Sequence, residues 1–401
     1  MAKLYRTCKV KLGKSPKQEK KLKTTLELLR QLYNAALQQR REAWVKQHVS
    51  LTEYDQHAEL TKVRADDIEF RNIPVETARL TSLHRLALAF QKFFNRLKRG
   101  EKPGYPRYKG VDRFNTLFYG RTGWKIDGKK LILVNGKDPI VLRMRNSIYL
   151  AGKIVGFKLV ERAGRWWAHF QIEMGDIPEK GEAKNSVGID VGIKTFATLS
   201  DGSEVEHPHF LVNASAKLKE GQRNLSRKTK GSNNRKKAQE RLARLNENIV
   251  NQRKNFINQV VSDLVKTYDG FVVEALDIRR MMSTNSAPSG LGKFGLPGLK
   301  RGIIDSSWGA FALHLVSKAE EAGCPVVCVN PRGTSQMCSG CGTTVKKDLG
   351  SRMHDCPVCG LLLDRDLNAA KNIFALGKNN LGHRLTTDST AFSCAVGAEA
   401  F

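Results

Sequence analysis

Residues 337–373 read MCSGCGTTVKKDLGSRMHDCPVCGLLLDRDLNAAKNI. The stretch holds two Cys-x2-Cys pairs, Cys338/Cys341 and Cys356/Cys359, with fourteen residues between them. Each pair turns two thiolates toward one ion, and two such turns complete a tetrahedron. Gly342 and Gly360 follow the second cysteine of each pair, where a tight knuckle turn favours glycine. Four thiolates leave no open position, so the expected single zinc ion is structural. Seven residues after Cys359 comes Asp366, inside an Asp-Arg-Asp-x-Asn run that opens a helical pattern. Asp366, Ala370 and Ile373 share one helix face by their spacing. If Ala370 and Ile373 pack on a sheet, Asp366 is aimed at the strand ends. Asp364, two residues earlier, suits the N-cap.

Two further acids have a matching setting. Residues 187–194, VGIDVGIK, form an apolar strand that carries Asp190 and turns back through Phe196–Leu199 as a hairpin. Residues 270–276, GFVVEAL, form a buried-type strand ending in Glu274. An acid in such a strand is costly unless it meets a cation. Gly188 and Gly192 are read as room for a phosphate backbone to approach Asp190. Asp190, Glu274 and Asp366 together are the carboxylate set that holds two Mg²⁺ ions about 4 Å apart for phosphodiester hydrolysis.

The charge balance agrees. The 401-residue chain has 68 Lys plus Arg against 39 Asp plus Glu, a formal +29, which calls for a polyanionic partner. Hydrophobic content of 40% supports a folded, multi-domain chain. Cys8, Cys324, Cys328 and Cys394 make no disulfide framework, which points to a reducing compartment. The start MAKLYRTCKVKLGK has no apolar core for a secretion signal, and no run reaches the roughly 18–20 apolar residues of a membrane span. A soluble cytoplasmic protein is expected, nucleoid-associated when on DNA and without a membrane partner.

Along the chain, Leu4–Leu12 alternates as a strand. From Pro16, Leu22, Leu26, Leu29, Leu32, Tyr33, Ala36 and Leu37 repeat at helical spacing, and Trp44 is read as the end of that buried stripe. Ser50–Phe70 predicts a short helix. Val75–Leu97 predicts another, with Leu80, Leu83, Leu86, Leu88, Ala89, Phe93, Phe94 and Leu97 facing inward. Gln91 and Asn95 on it are either base-edge contacts or plain surface residues. Arg96–Arg113 mixes seven basic residues with Tyr105 and Tyr108: either a nucleic-acid contact or a solvated linker with its tyrosines packed inward. Lys130–Val134, Ile140–Met144, Lys153–Leu159 and Trp166–Glu173 predict strands of a small β-barrel. Lys217–Lys254 has thirteen basic residues and three Glu, and Gly231–Asn234 interrupts two helical arms: a basic hairpin suited to phosphates. Met281–Arg301, rich in Gly, Pro and Ser, is read as a loop near Glu274. Trp308–Ala322 predicts a helix and Pro325–Val329 a strand. Arg332 is a candidate phosphate contact.

At these residues the chain resembles the TnpB family, transposon-encoded relatives of the type V CRISPR nucleases. The matching motifs are Gly188–Gly192, Val272–Glu274, Asn330–Gly342, Cys356-Pro357-x-Cys359-Gly360, Asp364-Arg365-Asp366-x-Asn368-Ala369-Ala370, the hairpin Leu218–Gln259 and Gly104–Lys109. The resemblance spans about residues 3–376. It implies a multi-domain α+β chain. An RNase H-like (RuvC) α/β nuclease domain carries an inserted four-cysteine zinc knuckle, with Asp190, Glu274 and Asp366 as catalytic, Mg²⁺-binding triad. A β-barrel wedge domain carries an inserted helical recognition bundle. The expected division is wedge at 1–15 and 99–182 and helical recognition domain at 16–98. The nuclease domain lies at 183–336 and 361–376, with the basic hairpin at 215–259. The zinc-binding, target nucleic-acid-binding domain lies at 337–360, and a flexible tail at 377–401. The implied function is cleavage of double-stranded DNA beside a short target-adjacent motif by a monomer on one guide RNA from the transposon end. Expected nucleic-acid contacts are Arg107, Lys109, Arg227, Lys228, Arg235, Lys236, Lys237 and Arg332. A strand-transfer transposase, a small CRISPR effector and a nuclease-inactive RNA-guided DNA-binding protein remain as alternatives. His314 and Ser317 stand where relatives often have Gln and Tyr.

Overall fold

The computed structural model describes residues 3–146, 152–178, 183–282, 295–347 and 351–381. The chain divides into two compact units, Met1–Asp176 and Ile177–Phe401.

In the first unit, seven antiparallel strands form one sheet, in the order Thr116–Tyr119, Lys153–Arg162, Arg165–Asp176, Lys3–Gly13, Ile140–Met144, Lys130–Leu133 and Trp124–Asp127. The two outermost strands are sequence neighbours joined through Gly120–Gly123, so the sheet curls nearly closed. Alternation supplies the barrel interior: in Ile140–Met144 every second residue is buried. Phe157 stacks on Tyr119 at 4.9 Å and meets Trp124 edge-on at 5.1 Å, filling the space between the sheet's two ends. The strands at Thr116–Tyr119 and Trp124–Asp127 are additional to the four expected, being four-residue runs split by a glycine-bounded turn.

Between the first and second strands in sequence lies the helical bundle. Helix Pro16–Gln47 starts at Ser15, whose hydroxyl accepts the N–H of Gln18 at 3.3 Å. It buries Leu22, Leu26, Leu29, Tyr33, Ala36 and Leu37. Trp44 is 57% exposed, against the expectation of a core role, because the stripe has run past the end of its cover. Val75–Lys98 is helical, but Arg79–His84 is a π turn. Ser82 there donates to the Leu29 carbonyl at 2.6 Å. The wide turn re-phases the helix. Leu83 and Leu86 are buried while Leu88, Phe94 and Leu97, expected inside, are exposed.

The second unit holds a five-stranded sheet, ordered Glu204–Glu206, Thr195–Leu199, Ser186–Val191, Gly270–Glu274, Val326–Val329. The first three strands are antiparallel and the last three parallel, the arrangement expected of an RNase H-like domain. Phe271 and Val273 face helices Asn233–Thr267 and Trp308–Glu321, packing on Val261, Leu264, Phe311 and Leu315. Val272, between them, faces the other way onto Ile373 of helix Arg365–Gly377. Gly188 lies under that helix: a Cβ there would sit 2.5 Å from the Ala370 carbonyl and 2.7 Å from Phe374. Its role is therefore close helix packing, not approach of a ligand. Gly192 lies in the hairpin turn, its added Cβ 2.7 Å from the Thr195 carbonyl.

Helices Phe210–Ser226 and Asn233–Thr267 form the basic hairpin, the second capped by Ser232. Of the expected loop Met281–Arg301, residues 283–294 lie outside the described residues. Gly295–Ser306 is a helix; Pro297 falls in its first turn, where a missing N–H costs nothing. Beyond Gly377, Leu381 is still buried against Val272, Val327 and Ile373, so packing continues past the expected tail boundary. Among the described residues no helix is long and apolar enough to cross a membrane.

Candidate active site

The parallel pairing of Ser186–Val191 with Gly270–Glu274 runs through Ile189↔Val273. The next residues along are Asp190 and Glu274, which therefore leave adjacent strands side by side. Helix Arg365–Gly377 packs across Ser186–Val191 and carries Asp366 in its first turn. Ala370 and Ile373 are fully buried on the sheet, as the spacing requires. Asp364 caps the helix, accepting the N–H groups of Asp366 at 2.7 Å and Leu367 at 3.3 Å.

Asp190 feels the charges of both other acids, although the three carboxylates do not all come within 4.8 Å of one another as the cysteine sulfurs do. Burial, then the charges of Glu274 and Asp366, push the Asp190 carboxyl well above the usual carboxylate range. Burial also raises Glu274, against a hydrogen bond from the Thr334 hydroxyl at 2.6 Å. Asp366 is flanked by two guanidiniums, Arg365 at 3.2 Å and Arg352 at 3.5 Å. The turn after Asp190 is fixed by Trp308, whose indole N–H donates to the Gly192 carbonyl at 3.3 Å.

The four cysteines form the second feature. Their sulfurs all lie within 4.8 Å of one another. Cys338 and Cys359 are 3.6 Å apart, and Cys341 and Cys356 are 3.5 Å apart. A tetrahedral zinc with Zn–S of about 2.3 Å spaces its sulfurs at roughly 3.8 Å, so the donor set fits that ion. The two knuckles repeat one geometry. Gly342 donates to the Cys338 carbonyl and Gly360 to the Cys356 carbonyl, each at 2.9 Å, and both glycines have positive φ.

Among the described residues, one other set of donors gathers as closely: His207, His209 and Asp305. Two of its three members have protein partners for their donor atoms. Asp305 accepts the Leu211 N–H at 2.9 Å and pairs with Arg253 at 3.2 Å. The Nδ1 of His207 accepts the His209 N–H at 3.0 Å, leaving Nε2 to donate to Ser306 at 2.9 Å.

The basic residues are scattered over both units. Arg107, Arg227, Lys228, Lys236, Lys237 and Arg332 are exposed. Lys109 is half-buried with its ammonium over the Tyr33 ring at 5.8 Å. The Arg235 guanidinium is spent on the Leu225 and Lys228 carbonyls, at 3.0 and 2.8 Å, where it closes the hairpin tip. Sequence reasoning singled out neither Thr334 nor Asn372, and used Asn368 only as part of a motif. The signal available was an i, i+4 amide pair, Asn368 and Asn372, beside the apolar face of the Asp366 helix.

Three family models match. One described as a probable transposase covers residues 169–285, and one described as the Cas12f1-like TNB domain covers 308–373. A helix-turn-helix model covers residues 1–48, although here that segment is a strand followed by one 32-residue helix. TnpB-like protein L79 of Acanthamoeba polyphaga mimivirus is 32% identical over 203 residues, 48% of this chain and 38% of that protein. A Streptomyces pristinaespiralis protein, named for an inferred RNA-guided DNA endonuclease activity, is 30% identical over 390 residues, 94% of this chain and 90% of its own. The chain belongs to the TnpB family. Its fold is similar to that of the protein in a Cas12f1–sgRNA–target DNA complex solved by cryo-EM. The TM-score is 0.57 at 15% identity, covering 92% of this chain and 98% of that one. This TnpB family member thus combines an RNase H-like domain, a four-cysteine insert and a barrel split by a helical bundle.

Proposed function

We propose that this chain is an RNA-guided DNA endonuclease that cuts double-stranded DNA beside a short target-adjacent motif, with Asp190, Glu274 and Asp366 as its catalytic acids. The observation that carries the reading is the side-by-side exit of Asp190 and Glu274 from parallel strands, with Asp366 near enough to raise the Asp190 carboxyl further. Like charges held in a desolvated place are a standing cost that divalent cations remove. The donors are all carboxylate oxygens, which fits Mg²⁺. When bound, two such ions supply Lewis-acid activation of water and stabilisation of the leaving 3′ oxygen. The chain's own work is to hold the carboxylates: Asp190 by the strand pairing and the Trp308-fixed turn, Asp366 by the Asp364-capped helix. Cys338, Cys341, Cys356 and Cys359 hold one structural zinc beside them.

Guide RNA and target DNA are the partners this reading requires. Arg107, Lys109, Arg227, Lys228, Lys236, Lys237 and Arg332 are assigned to phosphates, which give affinity without sequence information. Base pairing to the guide carries sequence choice. The wedge is assigned to 1–15 and 99–182, the recognition bundle to 16–98, and the nuclease domain to the chain from 183 with the knuckle at 337–360. The test is to purify the full chain from cells expressing its flanking DNA and to examine bound RNA and reaction products. An RNA of discrete length with Mg²⁺-dependent cuts at a matching target supports the reading. A protein free of RNA that joins DNA ends would replace it with strand transfer.

A further inference from the structure

The segment Asn330–Met337 leaves the strand Val326–Val329 and enters the first zinc knuckle. Thr334 in it is 3% exposed. Its hydroxyl has one proton and two acceptors in range, Glu274 Oε1 at 2.6 Å and the Pro331 carbonyl at 3.1 Å. The nearer, charged acceptor takes it. The other side of the segment is tied to the helix that carries Asp366. The amide nitrogen of Asn372 donates to the Thr334 carbonyl at 2.8 Å and to the Met337 carbonyl at 2.6 Å. Asn368 donates to the same Met337 carbonyl at 2.8 Å and accepts the Ser339 N–H at 2.9 Å. Both asparagines are almost wholly buried, where a polar side chain is kept only if its hydrogen bonds are made.

We infer that Thr334 is a positioning residue for Glu274, and that the Thr334–Ser339 strap sets Glu274, the Asp366 helix and the zinc knuckle in one register. This rests on Glu274 being a catalytic acid. A glutamate at a strand end has several rotamers, and the Thr334 hydroxyl selects one by holding a single oxygen. The other oxygen is left for a cation. Asn368 and Asn372 in turn fix the height of the strap against the helix. The knuckle thereby acts on Glu274 as well as on Asp366, since Met337 precedes Cys338 directly.

The test compares Thr334→Val, which removes the hydroxyl at nearly constant volume, with Thr334→Ser, which keeps it. Mn²⁺ binding is measured by calorimetry on the full chain with its guide RNA, and cleavage is followed as Mg²⁺ is titrated. The valine variant should weaken Mn²⁺ binding and raise half-saturating Mg²⁺ on the order of 10-fold, the usual scale for losing an outer partner of a metal ligand. The serine variant should stay within about two-fold of the parent, and zinc content should be unchanged in both. A threonine that merely packs would lower the melting temperature without moving the metal dependence. Thr334→Ala, which puts no methyl against the carboxylate, serves if the valine variant does not fold. Parent-like Mn²⁺ binding in the hydroxyl-less variant overturns the inference. Glu274→Ala is run alongside. If it still cuts, the triad reading falls; if it is inert while the hydroxyl-less variant behaves as the parent, only the role of Thr334 falls.

Discussion

Asp305 holds the guanidinium of Arg253 at 3.2 Å, with the aspartate side chain only 3% and the arginine 15% exposed. The same carboxylate accepts the Leu211 N–H in the first turn of helix Phe210–Ser226. One buried acid therefore ties both arms of the basic hairpin to helix Gly295–Ser306. Removing one partner of such a pair leaves the other charge buried alone. Asp305→Ala should cost about 3–5 kcal/mol in chemical denaturation. Because His207 and Asp305 already have protein partners, that loss is assigned to the broken ion pair and not to a metal ion at this cluster.

The zinc site carries the second prediction. Cys356→Ser combined with Cys359→Ser should abolish zinc in elemental analysis and lower thermal stability, since binding energy of a structural zinc is folding energy. Cleavage should fall as well, through misplacement of Glu274 and Asp366 rather than loss of a reacting group. Parent-like zinc content in the double variant would contradict the assignment.

Metal removal gives a third. Asp190 is partly buried beside two other acids, and without cations its carboxyl is pushed up. A raised acid binds a proton that the unfolded chain gives up, so the stabilising contribution is present below the ordinary aspartate range and is lost as pH rises from there through the raised value well above it. In EDTA at neutral pH, Asp190→Asn should therefore melt higher than the parent, with a shallower fall of stability as pH rises. Added Mg²⁺ should raise the parent's melting temperature more than the variant's. A lower melting temperature for the Asn variant in EDTA would count against a strained acid cluster.

The hairpin separates phosphate binding from architecture. Lys236 and Lys237 are exposed, whereas Arg235 closes the tip on two carbonyls. Lys236→Ala with Lys237→Ala should leave the fold intact and reduce the salt slope of nucleic-acid binding by roughly 0.7–0.9 for each phosphate no longer neutralised. Arg235→Ala should instead lower helicity by circular dichroism. An unchanged salt slope in the double lysine variant would remove those residues from the interface.

What could be read in advance follows from what each element depends on. Strands Ser186–Val191 and Gly270–Glu274 were legible because a short apolar run ending in an acid has few other uses. The knuckles were legible because their chemistry is local in sequence. Gly188 was misread since its reason, the backbone of Ala370, lies 182 residues away. Phe94 and Leu97 were misplaced because periodicity assumes an unbroken α-helix, and a π turn at Arg79–His84 resets the phase. The helix at Gly295–Ser306 was hidden by glycines and a proline that read as loop. Thr334 carries no signature: only the fold brings it to Glu274.

The most direct test of the central claim is cleavage of a programmed double-stranded target by the full chain with its guide RNA, in Mg²⁺, for Asp190→Ala, Glu274→Ala and Asp366→Ala. Each variant should bind RNA and target as the parent does and yield no cut product, a loss of at least the order of 10³-fold for removing an essential metal-binding acid. Parent-like cleavage by the three variants would contradict the account.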